Sequence, residues 1–383
     1  MKIYFDNSAT TPSSRAVVKA VQNSLTHKFG NPSSVHQKGV EAERILKKAR
    51  SQAAEVLNVK SKEIFFLSGG TEANNLALRG VVKNKDQEGP LHIISSSIEH
   101  DSVYQTLKEI SSSPQINVTF IKPNEQGIIT SQKVEKALRA NTILVSIMLV
   151  NNETGAVQPI KKIGQMLSNS APQTLFHVDA VQGLGYLPLK LKAWQVDMAS
   201  FSGHKIGAPK GTGFLWLRDS RLLEPLISGG KQEKGLRSGT ENVSGIAGLA
   251  AALKEIPRFS SSYQSKHLPL TDLKEYFIQQ LESKLPEARV NTPQNSAPHI
   301  INFSLKEIPG EVMVNALSSR GIFISRGSAC HARQGDDSRV LREMGVTGPW
   351  LKGALRISFS RQNTKEEVDG FFAALLDEYQ LLL

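Results

Sequence analysis

Short apolar runs alternate along the chain with longer segments in which apolar residues recur at helical spacing. The runs that predict strands are Ile64–Leu67, His92–Ser95, Val118–Ile121, Thr142–Val150, Leu175–Val178, Met198–Phe201 and Gly213–Leu217. Amphipathic patterns between several of them predict helices, for example Val40–Val56 and Thr71–Val82. Because strands that alternate with helices pair mainly in parallel and are covered on both faces, this order predicts an α/β fold with a mostly parallel sheet.

The pattern changes at Ile256–Gln264, where a proline and a run of serines interrupt it. A long helical pattern follows, from about His267 to Leu285. The rest of the chain predicts a smaller α+β unit, with strands near His299–Ser304, Ile322–Ser325 and Ala354–Ser358 and a last helix that begins at an Asn363–Thr364 cap.

The length of the chain, 383 residues, favours two domains over one. We expect residues 16–255 to form a large domain, and residues 1–15 together with 256–383 to form a small one. Hydrophobic residues make up 39% of the chain and charged residues 21%, which is ordinary for a globular protein and excludes a disordered one.

Two further features concern location and partners. The longest near-continuous apolar run, Ile143–Val150, is too short to cross a bilayer, and the N-terminus has no signal-peptide core, so we expect a cytoplasmic protein with no membrane partner. The formal net charge is +11, which suits either a nucleic acid or an acidic protein. Because Lys and Arg are scattered and no basic run contains interleaved aromatic residues, we expect no direct nucleic-acid binding.

The first motif with chemical meaning is Ser68–Glu72, which joins a predicted buried strand to a helix. Its two glycines allow a tight turn, and the helix start presents free N–H groups and a positive dipole end to an anion. This arrangement predicts a phosphate site. The same pattern is also typical of a simple tight connection, and it lacks the lysine of a P-loop.

The second motif is Ser200–Lys205, at the end of another predicted strand. A buried ammonium group is costly, but a lysine in such a place is expected if its amine forms a Schiff base with a carbonyl compound. For any lysine taken alone, a solvated position in a loop is the more usual interpretation.

The third motif, Phe176–Gln182, places Asp179 at the end of an apolar strand. A carboxylate in that position needs a partner, and the ring nitrogen of pyridoxal phosphate (PLP) is one that would be kept protonated by it. His177 lies on the same strand face, but no third ligand is near in sequence, so we predict no metal site.

The fourth motif surrounds Cys330, which is the chain's one cysteine. A lone cysteine is most simply a small buried hydrophobic residue. Here its neighbours are small and polar, and Arg326, His331 and Arg333 favour the thiolate, so the sequence predicts a reactive nucleophile in a loop.

Together these motifs resemble the cysteine desulfurases (NifS/IscS-like) of the class V aminotransferase family of PLP enzymes, and the resemblance runs over essentially the whole chain. The matching segments are DNSATT at Asp6–Thr11, GNPSS at Gly30–Ser34, SGGTEANN at Ser68–Asn75, EH at Glu99–His100, VNNETG at Val150–Gly155, HVDAVQ at His177–Gln182, SFSGHK at Ser200–Lys205, RSGTEN at Arg237–Asn242 and GSAC at Gly327–Cys330. The resemblance implies the PLP-dependent transferase fold type I, with a large, mostly parallel seven-stranded sheet domain and a smaller α+β C-terminal domain.

The resemblance also implies roles for individual residues. Lys205 would hold the cofactor and move protons, His100 would stack on its ring, and Cys330 would receive the sulfur of L-cysteine as a persulfide. Arg356 would bind the substrate carboxylate. The other implied cofactor-binding residues are Gly70, Thr71, Asn152, Asp179, Gln182, Ser202 and His204, with Thr240 reaching the phosphate of a neighbouring subunit in a homodimer.

The implied product is L-alanine, and the persulfide would pass to an acceptor, either an iron–sulfur scaffold protein or a tRNA sulfurtransferase. A selenocysteine lyase or an aminotransferase of the same fold is an alternative, although an aminotransferase needs no loop thiol. A rival of another class is a non-catalytic tRNA- or protein-binding module, which the +11 charge suggests.

Overall fold

The computed structural model describes residues 2–85, 89–257, 269–327 and 337–383. The strands in these residues are β1 (Ile3–Tyr4), β2 (Ile64–Leu67), β3 (Leu91–Ser96), β4 (Ile116–Ile121), β5 (Thr142–Ser146), β6 (Leu175–Asp179), β7 (Met198–Ser202), β8 (Gly213–Leu217), β9 (Arg289–Val290), β10 (Ile300–Ser304), β11 (Ile322–Phe323) and β12 (Ala354–Ser358). The α-helices are α1 (Arg15–Thr26), α2 (Gln37–Leu57), α3 (Gly70–Lys85), α4 (Asp101–Ile110), α5 (Ser131–Ala137), α6 (Ile160–Ser170), α7 (Val243–Glu255), α8 (Pro269–Lys284), α9 (Gly310–Ser319), α10 (Arg339–Glu343), α11 (Gly348–Lys352) and α12 (Lys365–Leu382).

The largest sheet has seven strands in the order β2-β8-β7-β6-β5-β3-β4. The pairs from β7 to β4 are parallel, whereas β8 runs antiparallel to both of its neighbours. All seven strands predicted for the first part of the chain lie in this sheet, so the predicted α/β class is confirmed. Because β2 and β7 both pair antiparallel with β8, they run in the same direction and end at the same edge of the sheet.

The largest error in a predicted strand boundary is at the end of β5, and the other strand bounds differ from the predicted ones by one or two residues. The apolar run that starts at Thr142 continues to Val150, but the strand ends at Ser146. The next residues are still buried, and the N–H groups of Ile147 and Leu149 donate to backbone oxygens of β6. A continuous apolar run shows that a segment is buried, and it does not distinguish a strand from a buried irregular segment.

Helices cover both faces of the large sheet. Alternate residues of β8 enter different cores: Phe214 and Trp216 pack with residues of α2, α6 and α7, whereas Leu215 and Leu217 pack with residues of α3 and α4. This alternation is the period of two that a strand imposes on its side chains. Both sets are apolar because neither face of the sheet meets water, which explains the nearly unbroken apolar runs.

The C-terminal part of the chain builds a second core around smaller sheets. Strands β12, β10 and β9 form an antiparallel sheet, and β1 pairs in parallel with β11. Phe5, Phe277, Phe303 and Phe371 are fully buried in this core, which therefore joins the N-terminal strand to the last helix. The division into domains at residues 15–16 and 255–256 stays a prediction.

Helix α12 begins where its cap was predicted. The hydroxyl of Thr364 accepts from the N–H of Glu367, and the carboxylate of Glu367 accepts from the N–H of Thr364. This reciprocal pair satisfies two N–H groups that a helix start leaves without partners. Among the described residues, no helix has the length and apolar character required to span a membrane.

Candidate active site

A cavity of about 560 Å³ lies at the edge of the large sheet where β2, β3, β5, β6 and β7 end. All but two of the predicted site residues line it. These are Gly70, Thr71, His100, Asn152, Asp179, Gln182, Ser202, His204, Lys205 and Arg356. The carboxyl ends of parallel strands bring the connections after them together, so motifs that are far apart in sequence meet at this edge.

Asp179, the last residue of β6, is held by hydrogen bonds on both carboxylate oxygens. Its Oδ2 accepts from Nδ2 of Asn74 at 2.7 Å, and its Oδ1 accepts from the N–H of Val181 at 3.0 Å. The second hydrogen on Nδ2 of Asn74 goes to Oγ of Ser102 at 2.8 Å. The side chain of Asp179, which is 5% exposed, is therefore held in one place at the cavity wall.

His100 continues the same network from the N-terminus of α4. Its Nδ1 accepts from the backbone N–H of Ser102 at 3.1 Å and lies 2.8 Å from the Ser102 hydroxyl. Because a backbone N–H can only donate, Nδ1 carries no hydrogen, and the neutral ring holds its proton on Nε2. Burial lowers the pKa of His100; the nearby Lys205 lowers it further, while Asp179 opposes them. The ring is therefore neutral near neutral pH.

Lys205 lies in the 3₁₀ turn Gly203–Ile206 that follows β7. Its Nζ donates to the backbone oxygens of Ser8 at 2.5 Å and Ala9 at 2.9 Å. These carbonyls belong to the DNSATT segment, which lines the cavity together with the lysine. The amine thus lies inside the cavity and faces backbone acceptors.

The connection from β2 to α3 packs too closely for larger residues. A methyl group at position 70 would meet Cγ2 of Val181 at 2.7 Å, and one at Gly213 would meet Cα of Gly69 at 2.6 Å. The free N–H groups at the start of α3 therefore lie against the ends of β6 and β7. An N-terminus of a 16-residue helix at a cavity wall favours an anion there.

His204 gives the same part of the cavity an unusual polar group. Burial, followed by the positive charges of Lys205 and Lys210, lowers its pKa to about 4. Its Nδ1 is buried and has no hydrogen-bond partner among the described residues. A neutral imidazole with a free nitrogen, next to two lysines, is suited to donate to an anionic ligand.

Arg356 lines the cavity from β12, in the other core, and is 1% exposed. Its Nη2 donates to Oδ1 of Asp6 at 2.7 Å, and its Nη1 donates to the backbone oxygen of Asn152 at 2.9 Å. A guanidinium has five N–H groups, and these two contacts use two of them. The others, including the buried Nε that has no partner among the described residues, can serve a carboxylate.

Two predicted site residues lie elsewhere. Thr240 is exposed and lines a smaller cavity of about 270 Å³ together with Arg237 and Glu233. Arg237 donates from Nε to Oε1 of Glu72 at 3.0 Å, so the RSGTEN segment touches the start of α3 from outside the main cavity. Cys330 lies outside the described residues.

His177, which shares a strand face with Asp179, has a structural role. Its two ring nitrogens lie 2.9 Å from the hydroxyls of Ser146 and Ser200 on the neighbouring strands. Burial lowers its pKa to about 3, so it is neutral in the folded protein. Within the part of the chain that the structure describes, no group of three or more His, Cys, Asp or Glu side chains is placed to hold a metal ion.

Sequence reasoning missed three parts of the site. Asn74 and Ser102 connect Asp179 to His100, and Asp6 orients Arg356. Asn74 and Asp6 lie within the matched motifs SGGTEANN and DNSATT, so their motif membership was the available signal. The contacts of Asn74 with Asp179 and of Asp6 with Arg356 could not be read from the sequence, because the two residues of each pair are 105 and 350 positions apart.

The chain belongs to the aminotransferase class-V family, whose sequence model matches residues 3–371. Enzymes of this family depend on PLP. Cysteine desulfurase IscS of Methanosarcina thermophila is 38% identical over 368 residues, which cover 96% of this chain and 89% of that protein. Several of the curated relatives, this one included, are named as cysteine desulfurases, which does not favour the lyase or aminotransferase alternative.

Solved structures agree with this assignment. A NifS-like protein superposes with a TM-score of 0.91 at 36% identity and covers 100% of both chains. SspA in complex with cysteine superposes with a TM-score of 0.80 at 35% identity, over 94% of this chain and 99% of that one. The predicted PLP-dependent transferase fold type I is confirmed.

Proposed function

We propose that this protein is a PLP-dependent cysteine desulfurase that removes the sulfur of L-cysteine as a persulfide on Cys330 and releases L-alanine. The single observation that carries the proposal is that an amine, a carboxylate and a guanidinium, on Lys205, Asp179 and Arg356, line one cavity. This reaction requires three groups: an amine that holds a carbonyl cofactor, a carboxylate that faces the ring nitrogen of the cofactor, and a guanidinium that binds the carboxylate of the substrate.

The residues of the cavity fit PLP. Several buried polar atoms at the cavity wall have no partner among the described residues, which is expected of groups that bind a ligand. They include Gln182 Oε1, His204 Nδ1 and Ser8 Oγ. The start of α3, with Gly70 and Thr71, and the hydroxyl of Ser202 would hold the phosphate, while Asp179 would face the ring nitrogen and Asn152 and Gln182 the phenolic oxygen.

When bound, PLP supplies an electron sink that stabilises negative charge on the substrate carbon. Arg356 binds the carboxylate of cysteine and so orients the substrate, while Asp6 and Asn152 keep the guanidinium in place. Nζ of Lys205 would hold the cofactor in the absence of substrate and would carry the proton at the substrate Cα. His100, neutral and fixed through Ser102, would cover the cofactor ring.

Sulfur transfer then falls to Cys330. Its thiolate attacks the sulfur of the substrate, a sulfur–sulfur bond forms, and the bond from that sulfur to the substrate Cβ breaks. The carbon takes up a proton and becomes the methyl group of alanine. Because the chain has one cysteine, no second thiol of the same chain can resolve the persulfide, and an outside acceptor must take it.

The test is Cys330→Ser. The variant should retain PLP and still change its absorption spectrum when cysteine is added, because Lys205 and Arg356 are intact. Alanine formation should fall by about 100-fold or more, because a hydroxyl is a far weaker nucleophile towards sulfur than a thiolate. Wild-type protein exposed briefly to cysteine without reductant should show one added sulfur atom on Cys330 by mass spectrometry.

Wild-type protein alkylated at Cys330 is the matched control and should behave like the serine variant. If Cys330→Ser forms alanine at the wild-type rate, the nucleophile assignment is wrong and the protein is another kind of lyase.

We also infer a homodimer in which Thr240 of each chain completes the phosphate site of the other. Thr240 is exposed and lies outside the main cavity of its own chain, which supports this inference. Sedimentation that finds an active monomer with full cofactor would refute it.

The sulfur acceptor that we propose is a protein, either an iron–sulfur scaffold or a tRNA sulfurtransferase. A cytoplasmic location is part of the same proposal.

A further inference from the structure

We propose that Glu153 is a positioning residue that fixes both ends of the segment bearing Cys330, through Gly327 on one side and Ser338 on the other. The proposal rests on the proposed function, because it assigns to Glu153 the placement of the sulfur-accepting thiol. Glu153 would touch neither substrate nor cofactor, and it would act through the loop ends.

The backbone around Glu153 is itself held in place. Oδ1 of Asn151 accepts from the N–H groups of Glu153 and Thr154, each at 3.0 Å, which forms a tight side-chain turn. From the small antiparallel sheet, Nδ2 of Asn302 donates to the backbone oxygen of Glu153 at 3.3 Å. Glu153 is 3% exposed, so its carboxylate projects from a fixed and buried turn.

At the C-terminal end of the segment, this carboxylate meets Ser338. Oγ of Ser338 donates to Oε2 of Glu153 at 2.5 Å, a short hydrogen bond. The same hydroxyl accepts from the N–H of Leu341 at 3.0 Å and so caps α10. The start of α10 is therefore fixed to the turn that carries Asn152 and Glu153.

Arg339, the next residue, fixes α10 to the His100 turn. Its guanidinium donates to the backbone oxygen of Ser97, to that of Glu99 at 2.8 Å, and to Oδ1 of Asp101 at 3.2 Å. It also stacks 3.8 Å from the ring centroid of Tyr104. The chain that leaves the Cys330 segment is thus held on one side by Glu153 and on the other by the residues around His100.

At the N-terminal end, Gly327 lies directly against the same carboxylate. A methyl group at position 327 would be 3.0 Å from Oε2 of Glu153, closer than ordinary contact allows. The residues before it are anchored too: the N–H of Ser325 donates to the oxygen of Arg356 at 3.2 Å, and the N–H of Arg356 donates to the oxygen of Ser325 at 2.6 Å. Oγ of Ser325 donates to the oxygen of Gly327 at 3.1 Å.

These contacts join the thiol-bearing segment to the substrate-binding group. Asn152, next to Glu153, holds Nη1 of Arg356, and Ser325 pairs with the backbone of the same arginine. Cys330 follows Gly327 by three positions, so the place of Gly327 limits how far the thiol can lie from the substrate. A small displacement of these ends would lower the sulfur-transfer rate strongly, because reaction requires close approach of the two sulfur atoms.

The test uses Ser338→Asp, because aspartate caps a helix as well as serine does but places a second carboxylate beside Glu153. We expect kcat for alanine formation to fall about tenfold or more, while KM for cysteine and PLP absorbance stay within about twofold. Ser338→Thr, which keeps the hydroxyl, should retain the wild-type kcat. The double variant Glu153→Gln with Ser338→Asp should recover most of the loss, because an amide can donate to the new carboxylate.

A second readout follows the thiol itself. Cys330 is the one cysteine of the chain, so the rate of alkylation by iodoacetamide reports its surroundings, and this rate should change in Ser338→Asp and return in the double variant. Ser170→Asp is the matched control, since Ser170 donates to Glu135 at 3.0 Å on the surface, far along the chain from both loop ends. It should leave kcat and alkylation unchanged.

The outcomes separate this proposal from the proposed function. If wild-type protein forms alanine, Cys330→Ser does not, and Ser338→Asp keeps the wild-type kcat and alkylation rate, then the positioning role is wrong and the desulfurase assignment stands. A fall of kcat in Ser338→Asp without recovery in the double variant also contradicts it, because the effect would then not run through Glu153. If Cys330→Ser is fully active, the desulfurase assignment itself is wrong.

Discussion

The two walls of the cavity are built in different ways. On the wall formed by the large sheet, Asp179, Ser202 and Lys205 lie at or just beyond the ends of adjacent parallel strands. On the opposite wall, Arg356 meets Asp6 across 350 positions of sequence, where the two ends of the chain pack into one core. The first wall follows from sheet topology, whereas the second exists only when the chain ends come together.

The two walls also carry groups with different proposed roles in the reaction. The large-sheet wall carries the groups proposed to hold the cofactor and move protons. The opposite wall carries the substrate guanidinium, and its neighbouring segments, Ser325–Gly327 and Ser338–Arg339, flank the thiol. Substitutions on the first wall should therefore affect the cofactor, and substitutions on the second should affect substrate binding or sulfur transfer while the cofactor stays bound.

Lys205→Ala should have the largest effect and should disturb the cofactor first. Without an amine at this position, the absorbance band of the lysine-bound cofactor should disappear and turnover should fall by about 10³-fold or more. Absorption spectroscopy and alanine measurement check both. Lys210→Ala is the control, since Lys210 lines the same cavity and should leave the absorbance band in place. Retention of the band in Lys205→Ala would mean that another lysine holds the cofactor.

Arg356→Lys tests the opposite wall. A lysine keeps the charge but lacks the planar fork that serves Asp6, Asn152 and a substrate carboxylate together, so we expect KM for cysteine to rise by about 10- to 100-fold. The cofactor absorbance should be unchanged. Arg320→Lys, at a surface pair with Asp377 and Glu378, is the control and should leave KM unaltered. An unchanged KM in Arg356→Lys would remove this residue from substrate binding.

Asn74→Ala should have a smaller effect, on the large-sheet wall. It removes the donor that Asp179 and Ser102 share, and a hydrogen bond to a buried charge contributes about 1.5–3 kcal/mol. We expect PLP to be retained about tenfold less tightly, measured by equilibrium dialysis, with KM for cysteine little changed. Asn75→Ala is the control, because its side chain contacts Thr71, Arg79 and Thr106 instead. Equal affinities in both variants would contradict the role of Asn74.

The same contrast explains what could be predicted from the sequence. Buried runs such as Met198–Ser202 predict strands. A polar residue that follows such a run within a few positions, as Lys205 does, has to lie near the end of the strand. The positions of Asp179 and Lys205 on the large-sheet wall could therefore be predicted from the local pattern, whereas Asn74 and Ser102 of the same wall were missed. The end of the strand that starts at Thr142 was predicted too late, at Val150, because the residues after Ser146 are still buried although the strand has ended.

The opposite wall could be predicted only by resemblance. Nothing in the local pattern around Asp6 indicates Arg356, and nothing around Glu153 indicates Ser338, 185 positions away. Such pairs depend on how the two cores pack together, and single-sequence periodicity contains no information about that packing. Arg356 was identified through the resemblance, but its partner Asp6 and the pair of Glu153 and Ser338 had to come from the structure.

The last prediction concerns His299, a buried histidine on the second core. Its ring stacks on Tyr186 at a centroid distance of 3.6 Å, and neither of its nitrogens has a hydrogen-bond partner among the described residues. Burial lowers its pKa well below the usual value, and the charges of Lys274, Arg356 and Arg361 lower it further. Below pH 6.5 the unfolded chain therefore binds a proton that the folded protein does not, and stability is lost as the pH falls.

His299→Phe should remove this loss while keeping the stacked ring. Between pH 7.5 and 5, the free energy of unfolding should fall by about 2 kcal/mol less in the variant than in the wild type, since each pH unit below the unfolded pKa costs about 1.4 kcal/mol. Urea unfolding followed by circular dichroism at the two pH values measures the difference. His177→Asn is the comparison in the large sheet. Because burial lowers the pKa of His177 to about 3, removing this histidine should flatten the pH dependence in a similar way, but loss of the hydrogen bonds to Ser146 and Ser200 should lower stability at both pH values. Parallel pH dependences in wild type and His299→Phe would show that His299 does not remain neutral in the folded protein.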